Sequence, residues 1–467
     1  MKRLLVTIII CIIVLPIAWF LFNKFEGKNP ELSILLPSVY LNRSYEMSMS
    51  VTDRGTGLRS IRVSLMQKGK EKILLEKNYE NSGSQGLFMG SGVFHQEFTI
   101  PVESWKYDMK DGEAVFRIYA SDYSWHGWNK GNSVYQEKNV IIDTTPPEVD
   151  ILTRTHNVAR GGAGLVIYRV FEDKLKSGVL VGDSFFPGYP GMFKDPNVYA
   201  AFFALSFLQG AGTNISVIVE DEAGNKTARG FYHYIKEQKF KTDIITVSDR
   251  FLEDKIKEFD LGPKELSFQT SENPLLEKFL FINRTERKEN IDTVLSHTAT
   301  TEPRRIWDGK PFIRLPGSAN RAGYADHRIY KYKNKEIDRQ VHLGIDLASI
   351  AMSPIPAANS GIVAGVGNFG IFGNTIILDH GFGLFTFYSH LSSFAVNRGD
   401  LVSKGDIIAH SGATGLAVGD HLHFGVAVNN VFVNPLEWWD KSWIDNNIMS
   451  KISDVEKLLN DTVKGTK

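Results

Sequence analysis

The chain has 467 residues, with 53 basic and 53 acidic side chains, 43% hydrophobic positions and a single cysteine. At roughly 150 residues per domain, this length predicts about three domains, each with enough chain to bury a core. The balanced charge argues against a protein that binds nucleic acid, because such a protein would be markedly basic. One cysteine excludes an intramolecular disulfide framework and any multi-cysteine zinc or iron–sulfur site.

The N-terminus carries an apolar run over residues 4–22 that one threonine and one proline interrupt. As a helix rising 1.5 Å per residue, this run would reach about 28 Å, which is enough to cross a hydrocarbon core. Lys2 and Arg3 precede the run and favour a cytoplasmic N-terminus with an exported remainder. A cleaved signal peptide is the alternative, but no small-x-small cleavage motif follows the run. We therefore expect residues 1–28 to be an uncleaved membrane anchor.

Residues 30–234 show short stretches of alternating polarity separated by Gly, Asn and Asp turns, which is typical of β-structure. The alternation of residues 45–51 ends at a turn over residues 53–57 and resumes at once over residues 61–65. This pattern predicts a β-hairpin. A second set of alternating stretches follows the proline-rich junction at residues 143–147.

The junction Asp143-Thr-Thr-Pro-Pro147 and the closing stretch Glu220-Asp-Glu-Ala-Gly-Asn225 resemble the tandem immunoglobulin-like modules of bacterial surface proteins. The resemblance implies two immunoglobulin-like β-sandwiches, over residues 29–145 and 146–240. Such modules serve as a plain spacer or as an arm that binds the cell wall, and the spacer is the simpler interpretation.

The polarity period becomes helical after Ser248, where Leu252, Ile256 and Phe259 are spaced at i, i+4 and i+7. A second helix is predicted to begin near Asn273. We therefore expect a helical connector over residues 241–305. Its charged face is either solvated or a surface for a partner.

Histidine and glycine are concentrated near the C-terminus. Six of the twelve histidines lie within 82 residues, and thirteen of the 41 glycines lie between Gly361 and Gly425. This glycine density suits short strands, tight turns and close backbone approach. Clustered histidines beside an acid, in a chain without usable thiols, predict a metal site with nitrogen and oxygen ligands.

Two histidine spacings define the predicted metal site. The first is His342-Leu-Gly-Ile-Asp346 and the second is His421-Leu-His423. Residues i and i+2 of a strand project to the same face, so both imidazoles of the second motif can enter one pocket. Alone the second motif is weak evidence, since two histidines on a solvated strand face have the same spacing.

The complete series of motifs over residues 341–439 is far more specific. In order these are His342-Leu-Gly-Ile-Asp346, Pro354-Ile-Pro-Ala357, Gly361-Ile-Val363, Gly373-Asn374, Leu378-Asp-His380-Gly381, Tyr388-Ser-His390-Leu391, Val402-x-x-Gly405, Gly412-Ala-Thr-Gly415 and Gly419-Asp-His421-Leu-His423-Phe424. This order and spacing resemble the lysostaphin/LytM-type zinc peptidases of family M23. The resemblance implies an antiparallel β peptidase domain over residues 306–440, followed here by a helical tail over residues 441–467.

The resemblance also implies a role for each matched position. His342, Asp346 and His423 would bind Zn²⁺, and three protein ligands leave a fourth position for water, as in catalytic zinc sites. His390 and His421 would be the catalytic pair. One of them would take a proton while the other donates a hydrogen bond to the developing oxyanion. The sequence leaves open which histidine does which.

Other positions are weaker candidates. Asn374 and Tyr388 are predicted to line the substrate cleft, although Asn374 fits a turn equally well. His380 matches a histidine of the family, and a buried structural role is favoured for it. In latent relatives an upstream residue occupies the metal. Asn320 and His327 are the candidates for that role here, with an open site as the default.

The fold class expected is mainly β: a transmembrane helix, two immunoglobulin-like sandwiches, a helical connector and a C-terminal lysostaphin-type peptidase domain. The leading hypothesis is a zinc metallo-endopeptidase that hydrolyses the peptide cross-links of peptidoglycan. It would be held in the inner membrane by residues 4–22, with the bulk of the chain in the periplasm. Other envelope proteins are further candidate partners.

Two hypotheses of other classes compete with this one. A non-hydrolytic adaptor would bind peptidoglycan and activate another wall hydrolase, whereas an immunoglobulin-like adhesin would carry the histidines incidentally. Degenerate adaptor domains lose zinc ligands, and this chain keeps all five matched positions, which favours the enzyme.

Overall fold

The computed structural model describes residues 2–81, 91–172 and 175–465. Its secondary structure is mainly β, which confirms the predicted fold class. The chain divides into two compact units, one made of Met1–Pro147 with Glu220–Lys226, and the other of Glu148–Val219 with Thr227–Lys467.

The first unit begins with helix α1, Lys2–Lys24, which contains Pro16. The mean hydropathy over Thr7–Lys24 is 2.1, and 6% of that window is buried. Most of the described apolar side chains of this helix are exposed; Leu15, for example, is 65% exposed. This length and composition suit either a membrane anchor or a signal sequence.

Eight strands of the first unit form two sheets. They are β1 (Glu31–Leu35), β2 (Tyr40–Leu41), β3 (Tyr45–Thr52), β4 (Leu58–Gln67), β5 (Lys70–Asn78), β6 (His95–Val102), β7 (Gly112–Asp122) and β8 (Ser133–Ile142). One sheet has the order β1-β3-β6 and the other the order β2-β8-β7-β4-β5. Alternate residues of both sheets, such as Met47, Val51 and Val63, are completely buried in a single core. The immunoglobulin-like type of this two-sheet unit stays a prediction.

The predicted hairpin of residues 45–65 is wrong. Strand β3 pairs with β1 and β6, whereas β4 pairs with β5 and β7 in the other sheet. The turn between them carries the chain from one sheet to the other. Asp53 stabilises this turn because its carboxylate accepts hydrogen bonds from the backbone of Gly55 at 3.2 Å and of Gly57 at 2.5 Å.

The second unit begins with a β-rich segment of nine strands. They are β9 (Val149–Ile151), β10 (His156–Ala159), β11 (Ala163–Val170), β12 (Lys176–Val181), β13 (Ser184–Pro187), β14 (Val198–Ala204), β15 (Ile215–Glu220), β16 (Lys226–Gly230) and β17 (His233–Lys236). They form sheets of order β14-β11-β9 and β13-β12-β15-β16, together with the pair β10-β17. Strand β11 is nearly continuous in apolar side chains and is buried on both faces.

The predicted helical connector begins with a strand instead. Strand β18 (Thr242–Val247) pairs in parallel with residues 327–332 and completes a three-stranded sheet. The helical segments that follow are Asp249–Phe251, Leu252–Ile256 (π), Gly262–Phe268 (3-10), α2 (Pro274–Phe281), Ile282–Glu286 (π) and α3 (Arg287–Ser296). The Ser248 hydroxyl accepts from Phe251 N at 3.1 Å, so it caps the first of these segments.

The C-terminal region contributes thirteen further strands. They are β19 (Ala319–Ala322), β20 (His327–Tyr332), β21 (Lys335–Val341), β22 (Ile345–Ala348), β23 (Pro354–Pro356), β24 (Gly361–Asn368), β25 (Asn374–Asp379), β26 (Leu384–Leu391), β27 (Ser393–Phe394), β28 (Leu401–Val402), β29 (Ile407–His410), β30 (Leu422–Val428) and β31 (Val431–Val433). The main sheet has the order β19-β22-β30-β26-β25-β24-β28, and β31 pairs with β30. Helices α4 (Pro435–Trp439), α5 (Lys441–Ile444) and α6 (Ser450–Gly465) follow, with a π segment Asp445–Met449 between α5 and α6.

Residues 148–219 share one hydrophobic core with this C-terminal region. Polar contacts reinforce the shared core. Glu437 of α4 accepts a hydrogen bond from Ala163 N at 2.8 Å, and Lys451 of α6 donates to Leu165 O at 2.9 Å. The domain boundaries expected from sequence stay predictions, but in this unit the β-rich segment is packed directly on the C-terminal region.

Candidate metal centre

Two paired strands and one strand end bring the three predicted metal ligands together. Asp346 lies in β22 directly opposite His423 in the antiparallel strand β30. His342 follows β21. The Nε2 atom of His342 lies 3.0 Å from Asp346 Oδ1 and 2.9 Å from His423 Nδ1, and the latter two atoms are 2.9 Å apart. The three side chains are buried, so the protein shields their donor atoms from bulk water.

The protonation pattern of this cluster fits a metal ion. His342 Nδ1 donates to the carbonyl oxygen of Gly323 at 2.8 Å, which leaves the lone pair of Nε2 directed at the Asp346 carboxylate. Two acceptors that face each other repel unless a cation or a proton lies between them. Ligands of a tetrahedral zinc at its usual bond lengths lie about 3.3 Å apart, close to the observed separations. The backbone contact of His342 is the outer-shell hydrogen bond common to metal-binding histidines.

Arg328 is a further member of the site that the sequence did not single out. Its Nη2 atom donates to Asp346 Oδ2 at 3.0 Å, so each oxygen of Asp346 has its own partners. Burial raises the pKa of Asp346, but His342, His421 and His423 outweigh it and hold that pKa well below its usual range. Arg328 lies in strand β20, outside the histidine motifs, and no spacing rule linked it to the ligands.

The predicted catalytic pair lies beside the cluster. The rings of His390 and His421 have centroids 4.8 Å apart, and His421 Nε2 lies 3.6 Å from Asp346 Oδ1. His390 Nδ1 donates to Thr414 O at 2.8 Å, and His421 Nδ1 donates to Gly419 O at 2.7 Å. Because Nδ1 of each ring donates to a carbonyl, Nε2 is the atom of each ring that can accept a proton.

The two histidines differ in electrostatic environment. Burial, followed by the charges of His421 and His423, lowers the pKa of His390 well below its usual range. Burial also acts to lower the pKa of His421, but the contact with Asp346 outweighs it and raises that pKa. His390 also has a backbone φ of +63°, in the left-handed region that non-glycine residues seldom adopt. Such strain, at the end of a strand, is characteristic of functional positions.

The five residues line one cleft of about 710 Å³. The connector supplies part of the cleft wall, with Val247, Phe251 and Phe279 among its apolar residues. Phe279 is 1% exposed and packs against Phe251 with ring centroids 6.0 Å apart, so this wall is well packed. A polar cluster facing an apolar wall is the usual make-up of a binding cleft.

The structure contradicts the substrate-binding prediction for Tyr388. Its side chain is 1% exposed, and its hydroxyl accepts hydrogen bonds from Ala358 N at 2.8 Å and from Thr386 Oγ1 at 3.1 Å. The hydroxyl is thus satisfied inside the core. The side-chain oxygen of Asn374 accepts from Asn368 Nδ2 at 3.2 Å. Neither Tyr388 nor Asn374 is among the described residues that line the cleft, and the role of Asn374 stays a prediction.

The remaining candidate positions lie outside the cluster. His380 is fully buried between Ser360 O and Thr386 Oγ1, and burial lowers its pKa to about 4, as expected of a structural histidine. The side-chain oxygen of Asn320 accepts from Arg314 Nη2 at 2.7 Å. Neither Asn320 nor His327 is among the described residues that line the cleft.

The region that holds the cluster is similar in sequence to known peptidases. The model of peptidase family M23 matches residues 340–435. The DD-carboxypeptidase/endopeptidase Mpg of Neisseria meningitidis is 36% identical over 97 residues, which are 21% of this chain and 22% of that protein. The peptidoglycan DD-endopeptidase ShyA of Vibrio cholerae is 35% identical over 96 residues, 21% of this chain and 22% of that protein. Lysostaphin of Staphylococcus staphylolyticus is 39% identical over 97 residues, 20% of each chain.

The C-terminal part of the chain is therefore a peptidase family M23 domain, which confirms the family predicted from the motifs. The chain spans about a fifth of the length of the curated relatives that it matches. The sequence similarity to these relatives consequently describes the domain that holds the cluster.

Proposed function

We propose that the protein is a zinc metallo-endopeptidase that hydrolyses peptide cross-links of cell-wall peptidoglycan. The observation that carries the proposal is the convergence of His342, Asp346 and His423 within 3.0 Å of one another, beside two histidines whose Nδ1 atoms donate to backbone carbonyls. Two relatives whose names specify peptidoglycan DD-endopeptidases support the substrate class. An adaptor would not need this complete set of polar groups.

His342 Nε2, Asp346 Oδ1 and His423 Nδ1 would hold the zinc ion. When bound, zinc supplies the Lewis acidity that polarises a scissile carbonyl and lowers the pKa of water. His390 and His421 would divide the proton transfer and the hydrogen bond to the developing oxyanion between their Nε2 atoms. Because Thr414 O and Gly419 O bind the Nδ1–H groups, each ring is held in the tautomer that these roles of Nε2 require.

For the location, we propose a single-pass protein of the inner membrane. Helix α1 would be the anchor, and the M23 domain would face the periplasm, where peptidoglycan is found. The support is the long apolar helix at the N-terminus together with relatives that act on the cell wall. Other envelope proteins are proposed partners, and the balanced charge of the chain gives no reason to propose nucleic acid.

The test combines metal analysis with digestion of purified sacculi by the full-length chain. We expect about one zinc ion per chain and release of soluble wall fragments. The His423→Ala variant should lose both the zinc and the release of fragments. The His410→Ala variant should keep both, because His410 belongs to the same domain but lies outside the cluster. Intact sacculi in the presence of the zinc-loaded chain would contradict hydrolysis and favour an adaptor. Cleavage retained by His423→Ala would contradict the assignment of the ligands.

A further inference from the structure

The loop that joins β7 to β8, residues 123–132, lies against the C-terminal end of helix α1. Trp125 N donates to the carbonyl oxygen of Lys24, the last residue of the helix, at 2.7 Å. The Ser124 hydroxyl donates to the carbonyl oxygen of Glu26 at 2.8 Å. The β7–β8 loop is therefore held by hydrogen bonds to the backbone at which the helix ends.

Ring contacts place the β7–β8 loop beside the last apolar turn of the helix. The ring centroid of Trp125 lies 5.5 Å from that of Phe20 and 5.8 Å from that of Phe25, and both contacts are edge-on. Phe20 belongs to the apolar run of residues 4–22, and it precedes Lys24 by about 6 Å along the helix. A bilayer that covers this apolar run therefore reaches the ring of Trp125 and, with it, the loop.

Trp128, three residues further along the β7–β8 loop, is turned away from the protein. It is 98% exposed, whereas tryptophan is on average highly buried in folded proteins. Gly127 and Trp128 both have left-handed backbone conformations, with φ of +62° and +64°. This conformation is an outlier for a bulky residue, and such strain is characteristic of functional positions. Phe25 is 56% exposed, so uncovered apolar surface continues from the helix to the loop.

The β7–β8 loop lies at one end of the strands of the first unit, and a comparable tryptophan lies at the other end. Tyr123 N donates at 3.0 Å to Gly57 O, in the turn that follows β3. The beginning of β3, about 24 Å earlier along the strand, pairs with Val102 of β6. Trp105 comes three residues after Val102 and is 58% exposed. It resembles Trp128 in residue type and exposure but lies at the end of the strands away from the loop.

We propose that the β7–β8 loop is a second membrane contact, in which Trp128 inserts into the headgroup region of the bilayer beside the end of α1. Tryptophan prefers this region because its apolar ring leaves water there while its N–H keeps a polar partner. The partner is a lipid bilayer because the loop contacts an apolar helix of which only 6% is buried in the window Thr7–Lys24. This inference rests on the proposed anchoring by α1. A second contact would restrict the tilt of the first unit relative to the membrane.

The test uses the full-length chain, reconstituted into vesicles of ordinary lipids or of lipids brominated on the acyl chain near the headgroup. Bromine quenches a tryptophan that contacts it, so the emission lost in brominated vesicles measures the tryptophans at that depth. The chain has eight tryptophans. Trp128→Phe keeps an apolar ring in the loop but removes one quenched indole, so the lost emission should fall by the share of one tryptophan. Trp105→Phe should lower the total emission and leave the lost emission unchanged.

Flotation of the vesicles on a density gradient is measured beside the quenching and tests the anchor separately. A chain that floats with the vesicles, but loses as much emission in Trp128→Phe as in the wild type, overturns the loop contact and leaves the anchor standing. A chain that does not float refutes both. Equal reductions of the lost emission in Trp128→Phe and Trp105→Phe also overturn the loop contact. Because Trp128 is almost fully exposed, its replacement by phenylalanine should not disturb folding.

Discussion

Asp346 has two carboxylate oxygens, and each has a different partner. Oδ1 faces His342 and His423, while Oδ2 accepts from Arg328 at 3.0 Å. A carboxylate held on one oxygen cannot rotate freely, so Arg328 determines which oxygen is presented to a metal. Groups that orient ligands in this way typically contribute about 10- to 100-fold to metal affinity.

We therefore expect Arg328→Gln to weaken zinc binding by about 10- to 100-fold. Competition with a chromogenic chelator measures the dissociation constant directly, without reference to activity. Arg339→Gln is the matched control, because Arg339 lies on the neighbouring strand in an exposed pair with Glu336. An unchanged zinc affinity in Arg328→Gln would contradict the positioning role.

At the scale of single elements, the turn over residues 412–415 positions His390 through the carbonyl of Thr414. This turn packs directly on Gly373, which has a φ of +61° and a ψ of −150°, a conformation that only glycine adopts readily. A Cβ atom at Gly373 would lie 2.4 Å from the carbonyl carbon of Thr414. The close approach of these two backbone segments thus fixes the carbonyl of Thr414, which accepts the hydrogen bond from His390.

Gly373→Ala should therefore displace Thr414 and, with it, His390. We expect kcat/KM to fall at least about tenfold, because general acid–base groups depend on their orientation. The zinc content should remain that of the wild type, since none of the three ligands contacts this turn. Gly367→Ala is the control, as its nearest neighbour would be 3.7 Å away. Equal losses of zinc and activity in Gly373→Ala would indicate general misfolding instead.

At the scale of the whole molecule, Glu437 joins the β-rich segment to the M23 domain by accepting from Ala163 N. Burial raises the pKa of Glu437 from its usual value to about 8. Between about pH 4.5 and 8 the unfolded chain is therefore ionised at this position while the folded chain stays protonated. Folding retains a proton that unfolding releases, so this residue makes the folded state less stable as the pH rises through that window.

Glu437→Gln should remove this pH dependence, because glutamine keeps the acceptor for Ala163 N but does not ionise. The wild-type chain should lose up to about 1.4 kcal/mol of unfolding free energy per pH unit relative to the variant across the window. Thermal denaturation of both proteins at pH 5 and pH 8 measures the difference. Glu456 is exposed on α6, so the Glu456→Gln variant should show the same pH dependence of stability as the wild type. A parallel pH response of Glu437→Gln and the wild type would refute the assignment.

The proposed membrane anchor gives a further prediction for the whole chain. After cell fractionation, the full-length protein should remain with the membranes and resist extraction at alkaline pH, because α1 buries its apolar side chains in lipid. Removal of residues 2–24 should release the protein to the soluble fraction. The N-terminal sequence of the membrane-bound form should start within the first residues of the chain. A mature N-terminus that follows Phe22 would show that α1 is a cleaved signal sequence.

The sequence by itself determined the family of the C-terminal domain and the group of residues that converge in its cleft. His342, Asp346, His390, His421 and His423 stand in short motifs whose order is specific, and strand periodicity already places His421 and His423 toward one side. It also indicated the apolar N-terminal helix and the β-rich character of the next two hundred residues, because local patterning is a property of consecutive residues.

Only the tertiary structure decided which strands pair and which distant side chains meet. The alternation in residues 45–65 is the same whether the two strands pair or lie in opposite sheets, so the sequence alone predicted a hairpin that does not form. Tyr388 lies two residues before His390 in the sequence, yet its side chain points into the core. Arg287, Arg321 and Arg328 reach the cleft through long-range packing and a β-bulge, for which local periodicity carries no signal.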